Sequence, residues 1–195
     1  MLAPLAGVVA GALHVVAGPD HLAAVAPLVA NDDRPAWRAG FAWGLGHTAG
    51  VMLVGLLLLA FREVLPVEAL SAWSERMVGA ALVSVGAWGL WRARAGASHS
   101  HASGTPSFAM GTLHGLAGSA HLYGVLPSLM FASRADAFAY LGGFGAGAVM
   151  AMTGFAALVG AVSLAGGGAA GPLRRVVLVA ASTAAVVVGG AWLLT

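Results

Sequence analysis

The chain has 195 residues, 59% of them hydrophobic and 8% charged, with a mean hydropathy of +0.89. Soluble domains average about 25% charged residues, so this composition excludes a water-soluble globule and predicts an all-α integral membrane protein with no room for a second, soluble domain. All nine basic residues are arginine and there is no cysteine. The pI of about 9.9 therefore reflects a few loop arginines and not a nucleic-acid patch. Disulfides, thiolate metal sites and dithiol redox chemistry are excluded.

Apolar stretches run over about 3–30, 39–61, 77–91, 108–132, 138–165 and 176–194. A helix needs about 20 residues to cross the hydrocarbon, so six transmembrane helices are predicted. No basic residue precedes Arg34, and the first stretch is expected to be retained, not cleaved as a signal peptide. It is long enough to hold a break, as are the fourth and fifth, and breaks are expected in the first and fourth. The third is short and is expected to borrow loop residues or tilt little. The connections 31–38, 62–76, 92–107, 133–137 and 166–175 are too short to fold alone. The segment 92–107 reads as a flexible linker; it carries His99 and His101 among Gly, Ser and Ala, and a solvated linker is favoured there over a metal-collecting cluster.

The first, third and fifth connections hold six arginines (Arg34, Arg38, Arg92, Arg94, Arg174 and Arg175), against Arg62, Arg76 and Arg134 in the other two. The positive-inside bias then places the odd loops in the cytoplasm and both termini outside. Three spans per half make the second half, 108–195, inverted relative to the first, 1–91, an architecture that recurs in secondary transporters. Pairs of glycine four residues apart (Gly7/Gly11, Gly40/Gly44, Gly46/Gly50, Gly111/Gly115 and Gly143/Gly147) read as close helix packing.

A histidine frame occurs twice. Leu13-His14-Val15-Val16-Ala17-Gly18-Pro19-Asp20-His21-Leu22 in the first span and Leu113-His114-Gly115-Leu116-Ala117-Gly118-Ser119-Ala120-His121-Leu122 in the fourth share L-H-x-x-A-G-x-x-H-L. Asp20 is the only acidic residue inside a predicted span, and a carboxylate at mid-membrane costs about 2.5–3.5 kcal/mol on insertion scales. On an unbroken helix His14 and His21 would sit about 10.5 Å apart along the axis, too far to share one ion at about 2 Å. Pro19 denies the carbonyl of Val15 its hydrogen bond and crowds that turn. A kink there would bring the imidazoles toward a common point and free carbonyls that are tolerated only beside a cavity or protein. Two histidines, an aspartate and a Gly-Pro break within eight residues outweigh the alternative of a kinked helix with structural hydrogen bonds.

His47, in Trp43-Gly44-Leu45-Gly46-His47-Thr48, would complete such a site if the first two spans pack together. His114 and His121 keep the spacing, but Ala120 and Ser119 replace the aspartate and proline. They form the weaker half of one site, a transit site or a structural pair, and the residues favour none of these. Imidazole with carboxylate suits Ni²⁺, Co²⁺, Zn²⁺, Cu²⁺ or Fe²⁺ and not Mg²⁺ or Ca²⁺.

The run His14 to Leu22, followed by Gly44-Leu45-Gly46-His47-Thr48, resembles the nickel/cobalt transporter superfamily, closest to its UreH-like (urease accessory) transmembrane branch. The stretch Leu113 to Ser119 is similar to that branch too. The resemblance implies secondary transport of Ni²⁺ or Co²⁺, with His14, Asp20, His21 and His47 at the metal-handling positions. The metal is then the transported substrate, with no permanently bound cofactor and no enzyme activity. The resemblance implies a bacterial or archaeal plasma membrane, with the ion and the bilayer as partners. A metallochaperone or a second copy of the chain is a candidate protein partner; nucleic acid is not. Rival readings are a haem-binding electron carrier with paired histidine ligands, a membrane metalloenzyme, which lacks an H-E-x-x-H motif, and a UreH-like carrier of a different substrate.

Overall fold

A computed structural model describes residues 2–30, 35–61, 67–95, 104–116, 124–165 and 171–194. Among these the chain is all helical. Seven α-helices, α1 (Leu2–Ala17), α2 (Pro19–Ala30), α3 (Ala36–Phe61), α4 (Val67–Ala95), α5 (Gly104–Leu116), α6 (Arg134–Ala165) and α7 (Pro172–Leu194), are joined by one 3₁₀ turn at Leu126–Met130.

The predicted break in the first span is present. The axes of α1 and α2 differ by 72°. Gly18 is the joint: its N–H donates to the carbonyl of His14, closing α1, and its carbonyl accepts from the N–H of His21, opening α2. Pro19 takes the first helical position of α2, where its missing N–H costs nothing.

Helix α1 shows the inside-out pattern of a lipid-exposed helix. Ala3, Gly7, Gly11 and Val15 form the buried stripe, while Leu2, Leu5, Val9, Leu13 and Val16 face outward. Small residues inward and large aliphatics outward favour close backbone packing in lipid. Gly7 and Gly11 lie against the backbone of Tyr140 and Phe144 on α6, and Gly143 and Gly147 lie against Pro4 and Val8 on α1. In the same way Gly46 and Gly50 of α3 meet Phe108 and Thr112 of α5, and Gly111 and Gly115 of α5 meet Trp43 and His47 of α3. The main pairings are thus α1 with α6, α3 with α5, and α4 with α7, with α3 also on α6 and α2 on α7.

Ala36–Leu56, Arg134–Ala165 and Pro172–Leu194 are each long and apolar enough to cross a membrane, and the bent pair α1–α2 passes the same test taken together, as a broken span or a re-entrant loop. The chain is an all-α membrane protein on this ground. The predicted third span, 77–91, is the later part of a 29-residue helix whose first half carries Glu68, Glu75 and Arg76. The predicted fourth, 108–132, begins in the 13-residue α5 and resumes at Gly124 before the 3₁₀ turn. At about 1.5 Å per residue α5 reaches about 20 Å, short of the hydrocarbon thickness. Helix also continues into both ends of 92–107, and His99 and His101 fall outside the described residues.

Candidate metal centre

The bend turns the start of α2 inward and places Asp20 and His21 at its first turn, beneath His14 at the end of α1. His14 and His21 have ring centroids 4.6 Å apart, edge to face. His47 on α3 completes a three-imidazole group: its ring lies 4.8 Å from His21 and is stacked 5.7 Å from His14. From the second half of the chain, His114 on α5 enters the same cluster, 4.6 Å from His21 and 5.8 Å from His47.

Asp20 ties the cluster together. Its Oδ1 lies 2.9 Å from His21 Nδ1, a buried hydrogen bond, and its Oδ2 lies 3.0 Å from His114 Nε2. One carboxylate therefore bridges imidazoles from opposite halves of the chain. Asp20 (3% exposed), His21 (1%), His47 (0%) and His114 (5%) are shielded from lipid, and His14 is half-buried. Gly18 keeps the space beside them clear, because a Cβ there would meet Asp20 Oδ1 and His21 Nδ1 and displace those side chains.

Two overlapping triads have ligand atoms within 4.8 Å of one another: His14, His21 and His47; and Asp20, His21 and His114. Ligands about 2.0–2.2 Å from one ion lie about 3.0–3.5 Å from each other; the 2.9 and 3.0 Å contacts of Asp20 are hydrogen bonds on separate oxygens, which an ion in that triad would replace. The donor set of neutral imidazoles and one carboxylate is that of a borderline divalent transition metal.

Of the residues singled out in the sequence, the structure brings together His14, Asp20, His21, His47 and His114; His121 lies outside the described residues. Two wall residues escaped sequence reasoning. Trp43 is fully buried, stacks 5.1 Å from His47, and lies 5.3 Å from His114 at 46°. Phe144 is buried 5.4 Å from His14 at 44°. The signal was an aromatic-G-x-G element, Trp43-Gly44-Leu45-Gly46, repeated as Phe144-Gly145-Ala146-Gly147.

Fold and site together define a polytopic helical membrane protein with a buried histidine–carboxylate cluster at a broken helix. The chain is 32% identical over 177 residues to the urease accessory protein UreH of Bacillus sp. (strain TB-90), a match covering 79% of this chain and 74% of UreH. It is 37% identical over 180 residues to the chloroplast protein FOR GROWTH AND FERTILITY 1 of Arabidopsis thaliana, and 36% over 174 residues to FOR GROWTH AND FERTILITY 2 of the same plant. Those matches cover 80% of this chain but 49% and 46% of the plant proteins, so the chain spans about half their length. No family model and no solved structure matches it. The chain belongs to the UreH family.

Proposed function

We propose that the protein is a secondary carrier of divalent transition-metal ions, with Ni²⁺ or Co²⁺ as the preferred cargo. One observation carries this reading: His14, Asp20, His21, His47 and His114 come together from four helices in one cluster, with all but the half-buried His14 buried. Burying these groups has a cost, and a pocket for a partly dehydrated cation accounts for it. Membership of the UreH family and the superfamily signature agree with it. Imidazoles bind metal only when deprotonated, so proton release or counterflow is the natural coupling. The centroid spacings of 4.6–5.8 Å leave no slab for a macrocycle between the rings, so the haem alternative gains no support.

We read the helices as six spans in two inverted halves, 1–91 and 108–195. Exchanging the halves turns the α1–α6 pairing into α5–α3 and leaves α4–α7 and α3–α6 as self-pairings. It also turns His14 beside Phe144 into His114 beside Trp43, two contacts alike within 0.1 Å and 2°. Arg174 Nε donates to the carbonyl of Ala30 at 2.7 Å, joining the end of α2 to the start of α7. Loops 31–38 and 166–175 then share a side, which we assign to the cytoplasm, with both termini outside. The bacterial relative, matched over most of its length, supports a prokaryotic plasma membrane as the setting.

The test is flux into liposomes by purified protein across Ni²⁺, Co²⁺, Zn²⁺, Mn²⁺ and Cu²⁺. His14→Ala, Asp20→Asn and His21→Ala should each abolish or strongly reduce it while the protein still inserts. Normal flux in all three removes the carrier reading.

A further inference from the structure

The five ligating groups are not arranged around one centre. They form two triads that share a single residue, His21. Its ring lies 4.6–4.8 Å from those of His14, His47 and His114, whereas His47 lies 5.7 Å from His14 and 5.8 Å from His114. His21 is the hub of the cluster. Its two ring nitrogens lie on different edges. Nδ1 faces Asp20, and through Asp20 the His114 side. Nε2 is then the nitrogen it can offer to His14 and His47.

The triads differ in three ways that matter for an ion. The first contains only neutral imidazoles; the second contains the carboxylate. All three members of the second are buried, whereas the first includes the half-buried His14. The first is drawn wholly from the first half of the chain; the second includes His114 from the other half. Their surroundings differ as well. His14 borders Phe144 of α6, while His114 borders a cavity between α2, α4 and α5 lined by Ala24, Met77, Leu82 and Met110.

We propose that the ion passes between these two overlapping subsites, leaving His14, His47 and His21 Nε2 for Asp20, His114 and His21 Nδ1, with the protons that His21 Nδ1 and His114 Nε2 donate to Asp20 released as the ion arrives. The proposal rests on the carrier reading and adds to it a sequence of ligands. The half-buried imidazole subsite receives the ion. Transfer to the carboxylate subsite occludes it and ties it to the second half of the chain. The ion leaves His21 Nε2 before Nδ1 takes it, because the two ring lone pairs diverge, and the ligand atoms within 4.8 Å in each triad keep that exchange local. His114, which the first half cannot replace, becomes a ligand of the occluded stage.

Co²⁺ is the probe, because its visible absorption reports coordination by protein nitrogen and oxygen. Purified wild-type protein should bind one Co²⁺ per chain. His47→Gln and His114→Gln each leave one triad whole. Each should still bind one Co²⁺, with affinity reduced about 10- to 100-fold and visible bands that differ between the two variants. Both should lose at least 100-fold in Co²⁺ flux into liposomes. His21→Gln, which damages both triads, should lose binding and flux together. Size-exclusion profiles identical to wild type establish that each variant is folded; if the glutamine variants are not monodisperse, His47→Asn and His114→Asn serve instead. Wild-type flux in the His114 variant, or loss of all Co²⁺ binding in it as in the His21 variant, overturns the relay and leaves the carrier reading standing. Absence of Co²⁺ and Ni²⁺ flux in the wild type overturns the carrier reading itself.

Discussion

Asp20 has an imidazole on each carboxylate oxygen, and Gly18 leaves just enough room for that arrangement. A methyl group at position 18 would meet Asp20 Oδ1 and His21 Nδ1. Gly18→Ala should therefore push the pair apart without removing any ligand. Residues that orient metal ligands typically contribute 10- to 100-fold in affinity, and a loss of about that size in Ni²⁺ or Co²⁺ affinity is expected by titration calorimetry. Gly154→Ala is the control, because nothing lies within 4 Å of a Cβ there; equal losses in the two variants would show that position 18 is not special. Protonation acts on the same atoms. Protons compete with the metal for the imidazole nitrogens, so metal affinity should fall in acid. Asp20→Asn should weaken binding at neutral pH by removing the one negative charge. Asp20, His14 and His21 are legible in the sequence because they are local: a Gly-Pro break next to an aspartate and two histidines. The contact of His114 with Asp20 is not legible, since no local periodicity states which helices of two repeats will meet.

At the scale of the helices, glycine sets how near the site residues come. Gly111 and Gly115 let α5 approach α3 until they touch the backbone at Trp43 and His47, and that approach carries His114 into the cluster. The glycine pairs are visible in the sequence as packing signals, and the structure bears that out. Their consequence for the site is not visible, because spacing shows that a helix is smooth on one face but not what it is smooth against. Gly111→Leu would collide with the carbonyl of Trp43. Overpacking of a close interface costs about 1–3 kcal/mol, so the melting temperature should fall by several degrees and metal binding should weaken with it. Gly142→Leu, at a position with open space around its Cα, should change neither. The helix over 77–91 is longer than the apolar stretch implied. Glu68, Glu75 and Arg76 interrupt hydropathy without interrupting helix, because charged residues are good helix formers. Hydropathy therefore locates the apolar part of α4 and not its start.

Across the whole molecule, the two halves are alike in scaffold and unlike in charge. The scaffold repeats as histidine beside aromatic, His14 with Phe144 and His114 with Trp43. The ligands do not repeat: Ala120 stands where the first half has Asp20, and Ala148, fully buried on α6, stands where α3 carries His47. An exact two-fold would offer the ion two equal sites; this asymmetry instead weights the cluster to the first half. The inversion proposed above would fix the sidedness of every loop, and the absence of cysteine makes that directly measurable. Single cysteines introduced by Asp33→Cys, Ser98→Cys and Ala169→Cys should react with a membrane-impermeant maleimide only from the cytoplasmic side. Glu63→Cys and Ser133→Cys should react only from the opposite side. The arginine bias and the Arg174 bond to Ala30 both require Asp33 and Ala169 to agree. Labelling of Ser98→Cys from the side opposite to those two would mean that 39–91 does not cross the membrane twice. The halves would then not be inverted, and His114 would reach Asp20 by a different topology.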